Sequence, residues 1–341
     1  MNVLVHPGFD AFYCSFYLQG IAEVFGPRAI RYGRDGFPEF RQPHSLAFLV
    51  PPAGRKAFID AQDSSEINER ALRWCDVYAK ANVDPARLPG EAGRKILAIG
   101  PSFGVRWWGA ARAARHAVAN YFKSRSELGG GRGPREHFAN YWRQYRYRLP
   151  LAAYAPGRSM DDYAFFLSAL WRDEDECNRF RANFIEACRS VPGIRFEGGF
   201  APGRVSAPPK FEPFLVDRRY ALAEYLEKTK ASIAAFNTPA VYGCLGWKLA
   251  EYLALGKAII TTPLGRSLPT PLVHGLHAHF VDGSIDEITG ALVLLARDAD
   301  YRHGLESHAR EYFLEHLAPA RCIERIERRV NGGEDAANAA H

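Results

Sequence analysis

The chain has 341 residues, 47% of them hydrophobic and 24% charged, with a formal net charge of +6 and a pI near 9.0. This is the composition of an ordinary globular protein with an ample core, and the length suits two domains better than one. No apolar run approaches the roughly 18 to 20 residues of a membrane-spanning helix. The opening MNVLVHPG lacks the basic and apolar regions of a signal peptide. A cytoplasmic location is therefore expected.

Scattered cysteines without any CxxC pair are typical of reduced, buried thiols and not of a disulfide or zinc framework. They are Cys14, Cys75, Cys177, Cys188, Cys244 and Cys322. The spacing of His274, His277 and His279 matches no standard zinc site, so no metal is predicted. The positive charge permits nucleic acid, a membrane surface or phosphorylated small molecules as partners without selecting among them.

A glycine turn separates the first predicted strand from the first predicted helix. Residues 3–8 (VLVHPG) are predicted as a buried strand that ends in a turn, and residues 9–25 as an aromatic-rich helix. Gly8 makes this turn a candidate phosphate-binding loop. His6 and Asp10 flank it, and each is a candidate general base, with a turn or helix-cap role as the alternative.

Short strand patterns alternate with helical ones through residues 1–122, which predicts an N-terminal Rossmann-like, doubly wound α/β domain. The other strand patterns in this region cover 29–32, 46–50, 56–59, 77–80 and 95–99. Asp60 stands where the strand 56–59 ends. It is therefore a third candidate base or a ligand of sugar hydroxyls, with helix capping as the alternative.

Residues 123–160 form a basic and aromatic segment that is predicted to connect two domains. Arginines and aromatic residues are interleaved in it, namely Arg143, Arg146 and Arg148 with Tyr141, Trp142, Tyr145 and Tyr147. Such interleaving suits a helix packed between domains, an anionic membrane surface or single-stranded nucleic acid. No RNA-binding signature accompanies it, so nucleic acid is the least expected of these partners.

A second alternation of strands and helices, over residues 161–310, predicts a C-terminal Rossmann-like domain. A helix over 311–330 and a disordered tail over 331–341 are expected to follow it. Arg179 and Arg181 lie in the helix after the first strand of this domain. Both are candidates to face a phosphate, with an ordinary helix-surface role as the alternative.

The most informative stretch is residues 236–264. It is predicted as a strand, a tight loop containing Thr238 and Gly246, a helix, a glycine stop at Gly256 and a second strand. This pattern is a parallel crossover. Its loop lies at the carboxyl end of the strands, which is where open α/β sheets bind ligands.

Two charged residues near the start of that helix sharpen the prediction. Lys248 and Glu251 are three residues apart, so both project from one side of the helix. A lysine beside a helix N-terminus suits a phosphate, and a carboxylate one turn later could hold ribose hydroxyls. An ordinary surface ion pair is the alternative.

Residues 160–325 resemble the donor-binding domain of GT-B glycosyltransferases of the group 1 type (glycosyltransferase family 4-like). The resemblance is strongest in GWKLAEYLALGKAIITTPL and in the following PLVHGLHAHFVDG. Enzymes of that family often show a glutamate, seven residues and a second glutamate, followed by a glycine. Here Glu251 matches the second glutamate and Gly256 the glycine. The first glutamate would fall at Gly243, so that half of the motif is absent.

The resemblance implies the GT-B architecture, in which two Rossmann-like domains face a cleft. It implies a glycosyltransferase that moves a sugar from a nucleotide-diphosphate donor to a glycan or lipid-linked acceptor. The pathway implied is surface polysaccharide, lipopolysaccharide or capsule synthesis at the inner face of the cell membrane. The nucleotide sugar is a co-substrate, and neither a metal nor another cofactor is implied. The residues expected at the donor site are Glu251, which would bind the nucleotide ribose, and Lys248, Gly246, Thr238, Arg179, Arg181 and Gly8.

If the reaction inverts the configuration of the sugar, the N-terminal domain must supply a base. The candidates, in order, are Asp10, His6 and Asp60. A nucleotide-sugar epimerase of the same architecture is an alternative function. A non-catalytic nucleotide-sugar-binding protein is another, which the absent first glutamate would suit. A dinucleotide-dependent dehydrogenase is disfavoured because no G-x-G-x-x-G follows a strand.

Overall fold

The structure is a computed structural model, and it describes residues 2–40, 42, 44–88, 90–125, 133–172, 174–203 and 207–332. The chain divides into two compact units. Unit 1 contains Met1–Leu151, Arg266–Thr270 and Glu315–His341, and unit 2 contains Ala152–Gly265 and Pro271–Leu314.

The strands, in chain order, are β1 (Val3–Val5), β2 (Ile30–Tyr32), β3 (Ser45–Val50), β4 (Arg55–Asp60), β5 (Val77–Lys80), β6 (Ile96–Ala98), β7 (Tyr163–Ser168), β8 (Arg195–Phe200), β9 (Ala235–Asn237), β10 (Ile259–Thr261) and β11 (His279–Phe280). The α-helices are α1 (Ala11–Phe25), α2 (Glu69–Trp74), α3 (Ala110–Ser124), α4 (Pro134–Tyr147), α5 (Asp175–Ser190), α6 (Leu222–Ala231), α7 (Trp247–Ala254), α8 (Ile285–Arg297), α9 (Ala299–Tyr312) and α10 (Pro319–Val330). Short 3-10 turns cover Pro85–Arg87, Glu91–Lys95, Leu151–Tyr154, Pro209–Phe214 and Val241–Gly243, and a π-helical turn covers Phe313–Leu317.

Unit 1 is built on one six-stranded sheet with the order β2-β1-β3-β4-β5-β6. The pairs β1–β2, β4–β5 and β5–β6 are parallel, whereas β3 is antiparallel to both of its neighbours. The reversal at β3 follows from the short connection to β4, residues 51–54, because a parallel crossover needs a dozen or more residues. The sheet is therefore mixed, although the alternation of strands and helices was predicted correctly.

Helices cover both faces of this sheet. On one face Ala47, Phe58 and Tyr78 pack against Ala71 and Leu72 of α2. On the other face α1 contacts β2 and β3, and α10 contacts α1, β4 and β5. Side chains of a strand alternate between the two faces of its sheet. Because side chains are buried on both faces, unit 1 has two core layers. The predicted doubly wound α/β domain is confirmed in this respect.

Of the segment that was predicted to connect two domains, residues 123–151 belong to unit 1 and residues 152–160 to unit 2. Its helix α4 packs on α1 and α3, and the ring of Tyr141 stacks on Trp108 at 5.5 Å. The helix that was predicted over 311–330 is not one element in the structure. Its first residues belong to α9 in unit 2, whereas α10 lies in unit 1. Residues 126–132 of the connecting segment lie outside the described residues, as do residues 333–341 of the tail.

Unit 2 contains the second set of parallel strands. β7 pairs with β8, and β9 pairs with β10, which in turn pairs with β11. Just before β9, the backbone N–H of Ile233 donates to the carbonyl of Tyr163 at 2.6 Å. On one face Phe166 packs with α5 and α8, and on the other the ring of Phe165 meets Tyr225 of α6. Unit 2 is therefore also an α/β unit with helices on both faces.

The crossover through α7 forms as its sequence pattern predicts. Gly246 is the N-cap of α7, and Leu249 and Leu253 are fully buried on its inner face. Gly256 follows the helix with φ +58°, and a Cβ there would lie 3.1 Å from the carbonyl oxygen of Glu306. A left-handed backbone in so little space is the reason for a glycine at this position.

All six cysteines are buried free thiols. Among the helices of the described residues, none combines the length and hydrophobicity that crossing a bilayer requires.

Candidate functional site

The loops that leave the strands of unit 2 meet around the N-terminal half of α7. Thr238 follows β9 directly, and its side-chain hydroxyl donates to the carbonyl of Pro239 at 2.9 Å. Thr262 follows β10, and its buried hydroxyl has no hydrogen-bond partner among the described residues. Gly246, which begins α7, offers no side-chain cap to the first amide groups of the helix. The crossover thus ends in small polar side chains and a helix N-terminus, as sites for anionic ligands do.

The ammonium of Lys248 points into the interior of unit 2. The ammonium donates to the carbonyl of Leu167, and to the hydroxyls of Tyr225 and Tyr252 at 3.3 and 3.5 Å. Burial lowers the pKa of Lys248 from 10.5 to about 7, although the nearby carboxylate of Glu251 acts to raise it. A lysine in this setting changes its charge near neutral pH. To meet a phosphate it must exchange a protein partner for the ligand.

Glu251 lies one turn after Lys248 and is only 6% exposed. Its charge raises the pKa values of Tyr225 and Tyr252, in addition to the larger effect of their burial. Burial of a carboxylate is costly unless cations or hydrogen-bond donors compensate it. Glu251 is therefore held in a polar cluster, so the alternative of an ordinary surface ion pair does not describe it.

Arg181 brings a second cation to this cluster from α5. It is 5% exposed, and its guanidinium donates to the carbonyl of Ala169 at 3.1 Å, just beyond the end of β7. Burial lowers its pKa, and its charge in turn lowers the pKa of Lys248. Arg181, Lys248 and Glu251, which we call the charged cluster, therefore lie close together at the carboxyl end of the unit 2 strands.

The loop before α7 adopts an unusual backbone where the glycosyltransferase motif would carry its first glutamate. Tyr242 and Gly243 both have positive φ, +58° and +69°. A glutamate at position 243 would be strained there, because a left-handed backbone disfavours any side chain. A carboxylate does reach this loop, however: Glu174, at the start of α5, accepts the backbone N–H of Tyr242 at 3.0 Å.

Two of the predicted donor-site residues make other contacts. Arg179 is on the exposed side of α5, where its guanidinium is 3.6 Å from Glu176 and lies over the ring of Phe180. This is the ordinary helix-surface role that was its alternative. Gly8 belongs to unit 1, where its N–H donates to Nδ1 of His6 at 3.3 Å. The structure thus brings together Thr238, Gly246, Lys248, Glu251 and Arg181.

Of the candidate bases, Asp10 is the N-cap of α1. One oxygen accepts the N–H groups of Phe12 and Tyr13, and the other accepts the side-chain amide of Asn140 at 2.7 Å. Its hydrogen bonding is that of a helix cap, which was the alternative to a catalytic role. His6 is 6% exposed, with its ring against the aromatic rings of two phenylalanines. The catalytic role of Asp10 and His6 stays a prediction.

The role of Asp60 as a base or sugar ligand stays a prediction, and the structure gives this residue a place in the core of unit 1. Asp60 is fully buried and accepts hydrogen bonds from the Lys80 ammonium at 2.8 Å and the Tyr78 hydroxyl at 2.6 Å. Its other oxygen accepts the N–H of Gln62. These donors occupy both oxygens of the carboxylate inside the core.

The three histidines near 274–279 have backbone or tyrosine partners. Nδ1 of His274 and of His277 each accept a backbone N–H at 3.0 Å, and His279 bonds to the hydroxyl of Tyr301 at 2.9 Å. In the part of the chain that the structure describes, no group of three or more histidines, cysteines and acids is placed to hold a metal ion.

Sequence reasoning missed the two tyrosines whose hydroxyls accept hydrogen bonds from the Lys248 ammonium. Tyr252 follows Lys248 by four residues, and that spacing on one helix face could have identified it. Tyr225 comes from α6, more than twenty residues away, and no local pattern connects it to α7. The partner-free hydroxyl of Thr262 was also missed, although its place after a buried strand is a usable signal.

No family model matches the chain, and none of the curated proteins matches it. Solved structures do resemble it. Glycosyltransferases are among them. The C-terminal domain of LpcC, a glycosyl transferase group 1 family protein from Francisella tularensis, is 14% identical; the match covers 47% of this chain and 86% of that one, with a TM-score of 0.32. HepE from Anabaena, in complex with UDP and glucose, is 10% identical over 80% of this chain and 71% of its own, with a TM-score of 0.42. A glycosyltransferase from Rickettsia africae is 11% identical over 76% of this chain and 64% of its own, with a TM-score of 0.44.

Proposed function

We propose that the charged cluster of unit 2 binds the nucleoside diphosphate of a nucleotide sugar, and that the protein transfers the sugar to an acceptor. The observation that carries the proposal is a buried arginine and glutamate with a half-buried lysine, around a helix that begins at a glycine, where parallel strands end. Cations and a helix N-terminus suit phosphates, and a carboxylate suits ribose hydroxyls. The same cluster therefore supplies ligands for both parts of a nucleoside diphosphate.

Each group has a chemical role in this proposal. Negative charge develops on the diphosphate as the bond to the sugar breaks, and Arg181 and the N-terminus of α7 stabilise it. Lys248 adds a positive charge when a phosphate replaces its carbonyl partner, because an anion raises the pKa of a neighbouring lysine. Glu251 accepts hydrogen bonds from ribose hydroxyls. The cationic side chains supply the charge that a divalent metal supplies in other transferases, so the proposed reaction needs no metal.

The acceptor class rests on the sequence resemblance. We propose a glycan or lipid-linked acceptor, with the reaction placed in surface polysaccharide, lipopolysaccharide or capsule synthesis on the cytoplasmic side of the membrane. The resemblance to group 1 glycosyltransferases in residues 160–325 supports this choice.

The binding step can be tested with a thermal-shift screen of UDP, GDP, ADP, dTDP and their common sugars. One nucleoside diphosphate at 100 times its dissociation constant should stabilise the native protein by about 2.7 kcal/mol, which is several degrees in Tm. Inorganic phosphate at the same concentration is the control. If no nucleotide raises Tm, the donor site is wrong.

Product analysis distinguishes transfer from the two alternatives. The alternatives are an epimerase of the same architecture and a non-catalytic binder, which the absent glutamate at Gly243 would suit. We expect the donor to be consumed only when an acceptor is added, with the sugar recovered on the acceptor. Consumption or isomerisation of the donor alone would indicate the epimerase. Binding without consumption, in the presence of a broad acceptor mixture, would indicate the binder.

A further inference from the structure

An apolar groove runs between α3 and α4 on the surface of unit 1. It has a volume of about 480 Å³ and is lined by alanines of α3, by Val118, and by Phe138, Tyr141, Trp142 and Tyr145 of α4. Among the described residues, no charged side chain lines it. The small side chains on α3 leave room beside the large rings on α4, and this difference in size creates the groove.

Large apolar side chains stand exposed along the same pair of helices. Val118 and Phe122 are 49% and 63% exposed, and Trp142 is 56% exposed. Val118 and Phe122 are four residues apart on α3, and Phe138 and Trp142 are four apart on α4, so each pair projects from one face of its helix. Soluble surfaces rarely expose so many large apolar groups together, and such patches mark interaction sites.

A basic basin lies on the other side of α3. It has a volume of about 490 Å³, and its lining includes four arginines, His116, Tyr32 and two tryptophans. The arginines are Arg28, Arg31, Arg112 and Arg115. Among the described residues, no acidic residue lines the basin, and none of the four arginines makes an ion pair with a carboxylate. Four positive charges are thus collected without protein counter-charges.

The groove and the basin are adjacent. Trp108 lines the basin, Tyr141 lines the groove, and their rings stack at 5.5 Å with an interplanar angle of 12°. α3 contributes Arg112 and Arg115 to the basin and Ala111 and Ala114 to the groove. One side of α3 therefore borders the cationic basin and the other side borders the apolar groove. The combined surface, which we call the α3–α4 face, offers an apolar strip beside a cationic one.

We propose that the α3–α4 face binds the surface of an anionic lipid bilayer. The exposed apolar side chains would enter the boundary between headgroups and acyl chains, and the arginines of the basin would bind lipid phosphates. Aromatic rings and long cationic side chains are the groups that favour this boundary. The proposal rests on the chemistry of unit 1 alone, and it holds whether or not the protein transfers sugars.

Charge and side-chain type favour a bilayer over other partners. α3 and α4 together carry six arginines and lysines and one acid, Glu136. A second copy docked through the same face would bring two sets of unpaired arginines together, which is unfavourable. Single-stranded nucleic acid binds by stacking on aromatic rings, whereas Val118 offers no such ring and Tyr141 is already buried against Trp108.

Co-sedimentation of the full chain with vesicles tests the proposal. We expect binding to vesicles of 30% phosphatidylglycerol in phosphatidylcholine, little binding to pure phosphatidylcholine, and loss of binding as salt rises from 50 to 500 mM. Arg112→Glu/Arg115→Glu should reduce binding at least ~25-fold, about fivefold for each lost charge. Arg70→Glu/Arg297→Glu, two exposed helical arginines elsewhere, makes the same change in net charge and should reduce binding less than threefold.

A second pair of variants tests the apolar half of the face. Phe122→Ser should weaken binding to the anionic vesicles by about tenfold, whereas Leu294→Ser, on α8, should leave it unchanged. A solvent-sensitive dye on Phe122→Cys should shift to the blue only when anionic vesicles are added. The six native thiols are buried and should not compete for the dye.

Four outcomes would overturn the proposal. They are absence of vesicle binding, equal binding to neutral vesicles, equal effects of the two arginine pairs, and a dye that is already blue-shifted without lipid. The last would mean that another segment of this chain or a second copy covers the face, and sedimentation velocity would identify the copy. The nucleotide thermal shift of each variant is measured alongside. If that shift survives while vesicle binding fails, the membrane proposal alone has failed.

Discussion

Buried ionisable side chains in this protein serve two different purposes. Asp60 and Lys80 lie 2.8 Å apart at 0% and 1% exposure, and the tyrosine hydroxyl and backbone N–H around them satisfy the carboxylate fully. Arg181 and Glu251 are also buried and Lys248 is half-buried, but these three residues lie where strands end and a helix begins. The first group stabilises a core, and the second is the one that we propose as the ligand site.

Asp60→Ala is expected to destabilise the protein without affecting nucleotide binding. The substitution leaves the Lys80 ammonium buried without its carboxylate, which costs about 3–5 kcal/mol. Urea unfolding measures that loss, and nucleotide titration of the folded variant should give the wild-type dissociation constant. A variant of wild-type stability would contradict the account of this pair.

Lys248→Met is expected to change the pH dependence of stability. The pKa of Lys248 falls to about 7 in the folded protein because of burial, so the unfolded chain binds more protons between about pH 7 and its ordinary value of 10.5. Burial of the lysine therefore costs most below pH 7, and the cost disappears as pH rises toward 10.5. The Tm of the variant minus that of the wild type should be most positive near pH 6 and fall steadily up to pH 10. A difference that does not vary with pH would mean that Lys248 is not desolvated.

The sequence predicted the charged cluster better than the core pair, for a physical reason. Glu251 and Lys248 lie on one helix, so their spacing alone places them together. Asp60 meets Tyr78 and Lys80 only because β4 and β5 pair in a register that aligns Asp60 with Lys80. No local pattern reveals that register, so a strand-end aspartate could not be told apart from a catalytic one.

At the scale of elements, α1 and α10 approach each other unusually closely. Gly20 lies at their crossing, where a Cβ would overlap the carbonyl oxygen of Pro319 and lie 2.9 Å from the side chain of Ile323. The absence of a side chain at this position allows the two helices to meet.

Gly20→Ala is expected to destabilise the protein by about 1–3 kcal/mol, because the new methyl group must force α10 away from α1. Gly290→Ala, within α8, is the matched control, since a Cβ there would meet nothing within 4 Å. The control should stabilise the protein by about 0.5–1 kcal/mol through helix propensity alone. Chemical denaturation measures both. A change of the same sign in the free energy of unfolding of both variants would contradict the packing described here.

Periodicity predicted most elements of both units but not every strand direction. β5 coincides with the predicted strand 77–80, and α1 begins directly after its predicted cap. The antiparallel direction of β3 could have been inferred from the four-residue connection to β4, whereas the order of the strands across the sheet could not. Strand order depends on contacts between distant segments, which a single sequence does not display.

At the scale of the whole molecule, the chain leaves unit 1 and returns to it twice. Residues 266–270 and 315–341 belong to unit 1, although unit 2 separates them from the rest of it. The sequence predicted an amphipathic final helix, but the apolar face of a helix does not reveal which unit it covers. The boundary near residue 151 was missed because α4 looks like a connecting segment until its packing on α1 and α3 is seen.

A chain ending at Leu314 is expected to lose the cooperative folding of unit 1 and keep that of unit 2. Its truncation removes α10, whose Ile323 and Ile326 are fully buried, and exposes the side of α1 that packs against it. Hydrogen exchange should show rapid exchange in β3–β5 and native protection in β7–β10. Native protection in both units would contradict this view of α10.

The central claim is that Glu251 belongs to a nucleoside-diphosphate site, and calorimetric titration tests it most directly. UDP, GDP, ADP and dTDP are titrated into the wild type, into Glu251→Gln and into Glu186→Gln, an exposed glutamate on α5. We predict that at least one nucleotide binds the wild type and Glu186→Gln equally. We predict that Glu251→Gln binds it about 10- to 100-fold more weakly, which is the contribution of hydrogen bonds to a charged group. Equal binding by Glu251→Gln at unchanged Tm, or no binding by the wild type, would contradict the claim.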